Sequence, residues 1–88
     1  MKEITLDSGL KLTIDLDRLN DMELVDLLAD AGDGDPVAIT RAATKMLGKK
    51  QKAALYDSLR NEEGRVPAAA FAEAFNEIFK QLGTETKN

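Results

Sequence analysis

The sequence predicts a mainly α domain of α+β character, an N-terminal β-hairpin followed by about four short helices. Three observations predict it. Apolar and polar residues alternate through Ile4, Leu6, Leu10, Leu12 and Ile14, around the triplet Asp7-Ser8-Gly9. That is the period of paired strands joined by a tight turn. Beyond Asn20 the apolar residues recur at spacings of three and four, in segments punctuated by Gly or Pro, which is the helical period. A length of 88 residues admits one small core and one domain. The domain is expected to occupy residues 1–83, with the hairpin in 1–15 and the helical part in 20–83; residues 84–88 read as a polar tail.

The strands are expected at residues 3–6 and 10–14. An isolated hairpin is marginal in water, so its apolar side needs helices as cover. Residues 15–18 form a polar joint. Asn20-Asp21-Met22-Glu23 then has the layout of a helix start, with Asn20 as cap and Glu23 three residues on. In this first helix Met22, Val25 and Leu28 share a face that Leu24, Leu27 and Ala31 widen, while Asp21, Glu23, Asp26 and Asp30 stay outside. Ala31-Gly32-Asp33-Gly34 ends it. Asp35-Pro36 opens the second helix, because Asp suits the cap and the missing N–H of Pro costs nothing at the first helical position. Ile39, Ala42, Ala43, Met46 and Leu47 form its buried stripe, and Gly48 is expected to stop it. A third helix follows over residues 50–60, with Ala54, Leu55, Tyr56 and Leu59 as apolar contacts. Residues 61–64 turn the chain, and Val66-Pro67 opens the last helix. Its stripe of Ala68, Phe71, Phe75, Ile78, Phe79 and Leu82 holds all three phenylalanines, and Gly83 is its expected end.

Charge is distributed unevenly. Residues 1–36 carry ten acids and three bases, a balance of −7; residues 37–88 carry six acids and nine bases, a balance of +3. The basic stretch is Arg41, Lys45, Lys49, Lys50, Lys52 and Arg60, opposed by Asp57 alone. Either the two halves attract each other within one domain, or acidic and basic faces of successive chains associate head to tail.

The residues absent from the chain narrow the chemistry. There is no Cys, His or Trp, which removes Cys/His zinc sites, thiolate nucleophiles, histidine bases and disulfides. No apolar run approaches the ~18 residues of a membrane span, and residues 1–6 lack the apolar core of a signal peptide. The expectation is a cytoplasmic protein, not an enzyme, with no cofactor and no metal. The aspartates of residues 30–35 fail as an EF-hand loop: counted from Asp30 the twelfth ligand is Arg41, and from Asp33 it is Thr44. Residues 59–70 match better, with Asn61, Glu63 and Gly64 in place, but Leu59 and Ala70 occupy the first and last ligand positions; a plain helix–turn–helix corner explains them. Lys49, Lys50 and Lys52 after Gly48 outline a DNA-binding corner, yet the chain is net acidic and offers no Arg there to grip guanine. The phenylalanine helix serves either as core or as a face for a partner helix. Phe71, Phe75, Phe79, Lys49, Lys50 and Lys52 are therefore the candidate contacts to a partner or to another subunit.

The order of segments resembles a known family. The hairpin of residues 4–14, Asp21-Met22-Glu23-Leu24, Gly34-Asp35-Pro36, Leu47-Gly48, Gln51-Lys52-Ala53-Ala54-Leu55-Tyr56-Asp57, and Gly64-Arg65-Val66-Pro67 leading into Phe75-Asn76-Glu77-Ile78-Phe79 look like the small tail assembly chaperones of long-tailed bacteriophages and of prophages of Gram-positive bacteria. The likeness covers nearly the whole chain. It implies a mainly helical, non-enzymatic protein that binds and solubilises the long helical tape measure protein during tail morphogenesis. It also implies self-association, a place in the host cytoplasm, and absence from the mature virion. The family commonly adds a longer product by programmed frameshifting near the end of the short one. Thr86-Lys87-Asn88 can be encoded as A-AAA-AAC, a slippery heptamer, so a shift at Lys87-Asn88 is expected. The rival readings are a small prophage DNA-binding regulator using the basic helices of residues 41–60, and a structural head–tail component.

Overall fold

The computed structural model describes the backbone of residues 1–86 and the side chains of residues 1–83. The alternation near the N-terminus becomes two antiparallel strands, β1 (Lys2–Thr5) and β2 (Lys11–Ile14), in the register Lys2↔Ile14 to Thr5↔Lys11. Leu6 and Leu10 extend the pairing into the turn: the Leu6 N–H donates to the Leu10 carbonyl at 2.9 Å, and the Gly9 N–H donates to the Leu6 carbonyl at 2.8 Å. Ile4, Leu6, Leu12 and Ile14 are all buried on one face, as a period of two requires.

The joint at residues 15–18 contains a single 3₁₀ turn, Leu16–Leu19, started by the Asp15 carboxylate, which accepts from the Asp17 N–H at 3.0 Å. Helix α1 (Met22–Gly32) is capped by Asp21 and not by Asn20; the Asp21 carboxylate accepts from the Glu23 N–H at 2.9 Å. Both residues are good caps, and the next one in sequence takes the role. The face of α1 is rotated from the expected one. Leu24 is buried and Leu27, Leu28 and Ala31 are partly buried, a stripe at spacings of three, four and seven, whereas Met22 is 71% and Val25 46% exposed. Glu23 stays outside as expected, and Asp21 is half-buried; both carboxylates reach Lys45.

The end of α1 is a Schellman motif. The Asp35 N–H reaches the Asp30 carbonyl at 3.1 Å and the Gly34 N–H reaches the Ala31 carbonyl at 3.0 Å. The motif needs a left-handed residue, and Gly34 takes φ +97° without a Cβ penalty. Asp35 then caps α2 (Pro36–Leu59) through the Val37 N–H at 2.9 Å, with Pro36 at the first position.

The helices number three among the described residues, not about four. Residues 36–47 and 49–59 belong to one element, bent at Gly48, which holds φ 78° and ψ 162°. Only glycine takes this backbone state freely, so it interrupts the helix without inserting a loop. Ala38, Ala42, Ala43, Met46, Leu47 and Leu55 are buried along α2, and Ala54, expected inside, faces water. A corner organised by Asn61 follows. Its Oδ1 accepts from the N–H groups of Glu63 at 2.9 Å and Arg65 at 3.1 Å, which gives the calcium-like spacing of residues 59–70 a backbone-turn explanation. Helix α3 (Ala68–Thr86) begins with the Phe71 N–H on the Pro67 carbonyl at 3.1 Å. It continues through Gly83 to Thr86, so residues 84–86 of the expected tail are helical; Gly mid-helix costs about 1 kcal/mol but does not force a stop. Lys87 and Asn88, where the frameshift is expected, lie outside the described residues.

The core lies where the hairpin, α2 and α3 meet: Ile4, Leu12, Ile14, Met46, Leu55 and Ile78 are essentially inaccessible. Two glutamines complete the hairpin's outer edges. Thr5 and Thr13 direct their backbone groups away from the paired ladder. The Gln51 side chain accepts from the Thr13 N–H at 2.7 Å and donates to its carbonyl at 2.8 Å, and Gln81 donates to the Thr5 carbonyl at 2.9 Å. The amides thus stand in for part of a third strand at each edge.

Candidate functional site

The candidate residues do not form one cluster. The three phenylalanines lie at spacings of four on α3 and stack in a row with Tyr56. Tyr56 meets Phe71 edge-on at 5.4 Å between centroids, Phe71 stacks on Phe75 at 6.2 Å, and Phe75 meets Phe79 edge-on at 5.1 Å. Phe71 and Phe75 are core residues, 7% and 5% exposed, and Phe79 is partly open at the end of the row. Lys52 joins the other end: its Nζ lies 5.5 Å from the Tyr56 ring centroid and donates to Thr44 Oγ1 at 2.9 Å. Lys49 and Lys50 are exposed just past the Gly48 bend, off this row.

The basic and acidic stretches meet within the chain at Lys45. Lys45 Nζ lies 3.2 Å from Asp21 Oδ2 and 3.5 Å from Glu23 Oε1. Nearby, the Arg18 guanidinium donates to the Lys45 carbonyl at 3.4 Å. The Lys45 ammonium, with help from the Glu23 N–H, holds the Asp21 carboxyl below its ordinary 3.8. The same bond to Asp21 raises Lys45 above its ordinary 10.5. Arg41, Lys49 and Lys50 remain exposed on α2.

Two hollows flank α3. One, of about 730 Å³, lies between the hairpin turn, Leu59 and α3, with Asp7, Ser8, Glu73, Glu77, Lys80 and Gln81 supplying a polar wall. The other, of about 450 Å³, opens between the end of α1, Ile39 of α2, and Phe75 and Phe79 of α3. Its floor is apolar. A separate set of exposed apolar side chains comprises Met22 and Val25 on α1, Val37 at the start of α2, and Leu16.

Among the described residues no group of three or more acidic, histidine or cysteine side chains is arranged to hold a metal ion, and no helix is long and apolar enough to cross a membrane. Every buried side-chain polar atom described has a hydrogen-bond partner. Comparison with family models, curated proteins and solved structures returns no match to this chain.

Sequence reasoning missed the outward Met22 and Val25, because a 3.6-residue period in a leucine-rich helix admits two overlapping stripes. It also missed the edge glutamines, which act across 38 and 76 residues of sequence.

Proposed function

We propose that the chain is a non-enzymatic assembly chaperone of long-tailed phages or prophages, which binds the tape measure protein and keeps it soluble while the tail is built. The observation that carries this reading is apolar surface left open on a small, strongly charged domain: the groove over Phe79, and the pair Met22 and Val25 among acids on α1. A holdase needs such adhesive surface within a solubilising exterior. The segment order that resembles tail assembly chaperones supports the same reading. The hairpin edge is the weaker client surface, since Gln51 and Gln81 already occupy Thr13 and Thr5.

Self-association, and a longer form made by frameshifting at Lys87-Asn88, belong to this proposal. So do a cytoplasmic location and absence from finished particles. The DNA-binding rival rests on Arg41, Lys49 and Lys50, the exposed bases of α2; Lys45 and Lys52 are engaged within the chain. Co-expression with the neighbouring long helical gene product tests the reading. The chaperone moves that product from pellet to supernatant; a client that stays insoluble, or salt-sensitive binding to random duplex DNA, refutes it. Recovery in purified virions points instead to a structural component.

A further inference from the structure

We propose that α2 is a hinge at Gly48, and that two copies of this chain exchange residues 49–86 when it straightens. The exchange goes beyond the chaperone reading and needs no client. Local preference and fold disagree over residues 45–59. That stretch has no proline and no β-branched residue, so apart from Gly48 it consists mostly of strong helix formers. Glycine itself does not force a stop, since α3 runs through Gly83. Yet Gly48 holds φ 78° and ψ 162°, far outside the helical range.

The bend is unfavourable where it stands. It opens a new helix start at Lys49 and Lys50, two cations at the positive end of a helix dipole. The residues before them, Leu47 and Gly48, have no side-chain oxygen to cap it. In a straight helix both lysines are interior, and both penalties vanish. Groups from elsewhere hold the bend instead. The Arg18 guanidinium donates to the Lys45 carbonyl at 3.4 Å, the group that an unbroken helix reserves for the Lys49 N–H. The Gln51 amide donates to the Leu47 carbonyl at 3.0 Å and to the Thr13 carbonyl at 2.8 Å, tying both sides of the bend to the hairpin.

The core explains why a single copy stays bent. Leu55, Phe75 and Ile78, beyond the bend, are buried in one cluster with Leu12, Ile14 and Met46 before it. A straight α2 of 24 residues is about 36 Å long, against 40 Å for the longest extent of the molecule. It carries residues 49–86 off the hairpin and exposes that apolar surface. A second copy is the partner that covers it with no new surface. Residues 49–86 of each chain pack on the hairpin and the first half of α2 of the other, remaking the native contacts, while both α2 helices run straight. Any other protein would have to reproduce this close-packed core side chain by side chain.

The test refolds the full chain from urea at rising concentration and follows its mass by sedimentation equilibrium. Wild type is expected to be monomeric when dilute and to form dimers as concentration rises. Gly48→Ala favours the straight helix over φ 78°. Each dimer contains two hinges, so this variant is expected to raise the association constant at least about tenfold. Held dilute, the same variant stays bent and is less stable than wild type. A D-alanine in place of Gly48, introduced by chemical ligation, favours the left-handed bend and is expected to lower the constant at least about tenfold. Arg18→Gln removes a bond that holds the bend and serves if Gly48→Ala fails to fold; it too is expected to raise the dimer fraction.

Crosslinking tells exchange from side-by-side association. Ser8 in the hairpin turn and Glu73 of α3 line the same hollow, and they lie on opposite sides of the bend in sequence. The chain has no cysteine of its own, so Ser8→Cys with Glu73→Cys leaves one pair for a flexible bismaleimide. In the bent monomer the bridge closes within a chain. In the Gly48→Ala dimer it is expected to join two chains, giving a covalent dimer on a denaturing gel. Dimers whose bridges stay within chains overturn the exchange. So does a folded Gly48→Ala or Arg18→Gln that dimerises no more than wild type, or a D-alanine chain that dimerises as readily. Co-expression solubility is read separately: a client kept soluble by a chain that never exchanges refutes the hinge and leaves the chaperone reading standing. If exchange occurs and the client stays insoluble, the hinge stands without that client.

Discussion

The hairpin, α2 beyond its first turn and α3 close upon one another, whereas α1 and the first turn of α2 leave apolar side chains in water. On the closed side Ile78, Leu55 and Ile14 are wholly inaccessible, and glutamines cover the hairpin edges. On the open side Leu24 is the sole buried residue of α1, and Met22, Val25 and Val37 face outward. A fully buried Leu, Ile or Phe contributes about 1.5–3 kcal/mol, so most of the stabilising burial sits on the closed side. The open side is free to spend its apolar surface on a partner. Stability and binding are thereby separated along the chain, and the separation can be attacked by mutation.

Phe75→Asp should have the largest effect. It puts an unpaired charge into the centre of the aromatic row, and thermal unfolding followed by circular dichroism should lose its cooperative transition. A cooperative mutant would place Phe75 on a surface and dissolve the contrast.

A paired truncation measures the contrast directly. Ile78→Ala should cost about 2–5 kcal/mol in urea unfolding, and Val25→Ala on the exposed face of α1 about 0.5 kcal/mol or less. Similar losses at both positions would show that the two sides are equally packed.

Gly48→Ala probes the bend in α2. At φ 78° an alanine is strained, and its Cβ would lie 3.3 Å from an Arg18 guanidinium nitrogen. The expected loss is about 1–3 kcal/mol by chemical denaturation. An unchanged midpoint would show that α2 tolerates a different geometry at this residue.

The smallest effect belongs to Lys45→Gln, which removes the ion pair from α2 to Asp21 and Glu23 at the start of α1. The lowered carboxyl of Asp21 contributes stability that is complete above its ordinary 3.8 and lost as pH falls through the folded value. The raised ammonium of Lys45 contributes stability that is complete below its ordinary 10.5 and lost as pH rises through the folded value. The difference in melting midpoint between wild type and mutant should therefore be greatest between those limits, close at both ends, and shrink in high salt. A difference independent of pH would mean that Lys45 acts through packing alone.

Local chemistry made much of this fold legible. The Asp-Ser-Gly turn, the Asp35-Pro36 cap and the Ala31 to Gly34 stop each depend on neighbours in sequence, and each lies where expected. What escaped depends on distant partners. Asn20 and Asp21 are equivalent caps until α1 docks. Leu24 and Val25 compete for the same core until α2 selects one. Gly48 marks a break, but a residue type does not say whether a loop or a bend follows. The candidate residues fared likewise: the phenylalanine stripe was evident, yet which ring stays open depends on how α3 packs in the fold, and the groove needs all three helices.

Hydrogen–deuterium exchange of the full chain, with and without the tape measure protein, tests the central claim most directly. The account predicts that bound client slows exchange in α1, in the first turns of α2 and around Phe79, and leaves the hairpin and residues 49–59 unchanged. Protection confined to the hairpin edge or to the lysines after Gly48, or none at all, would contradict it.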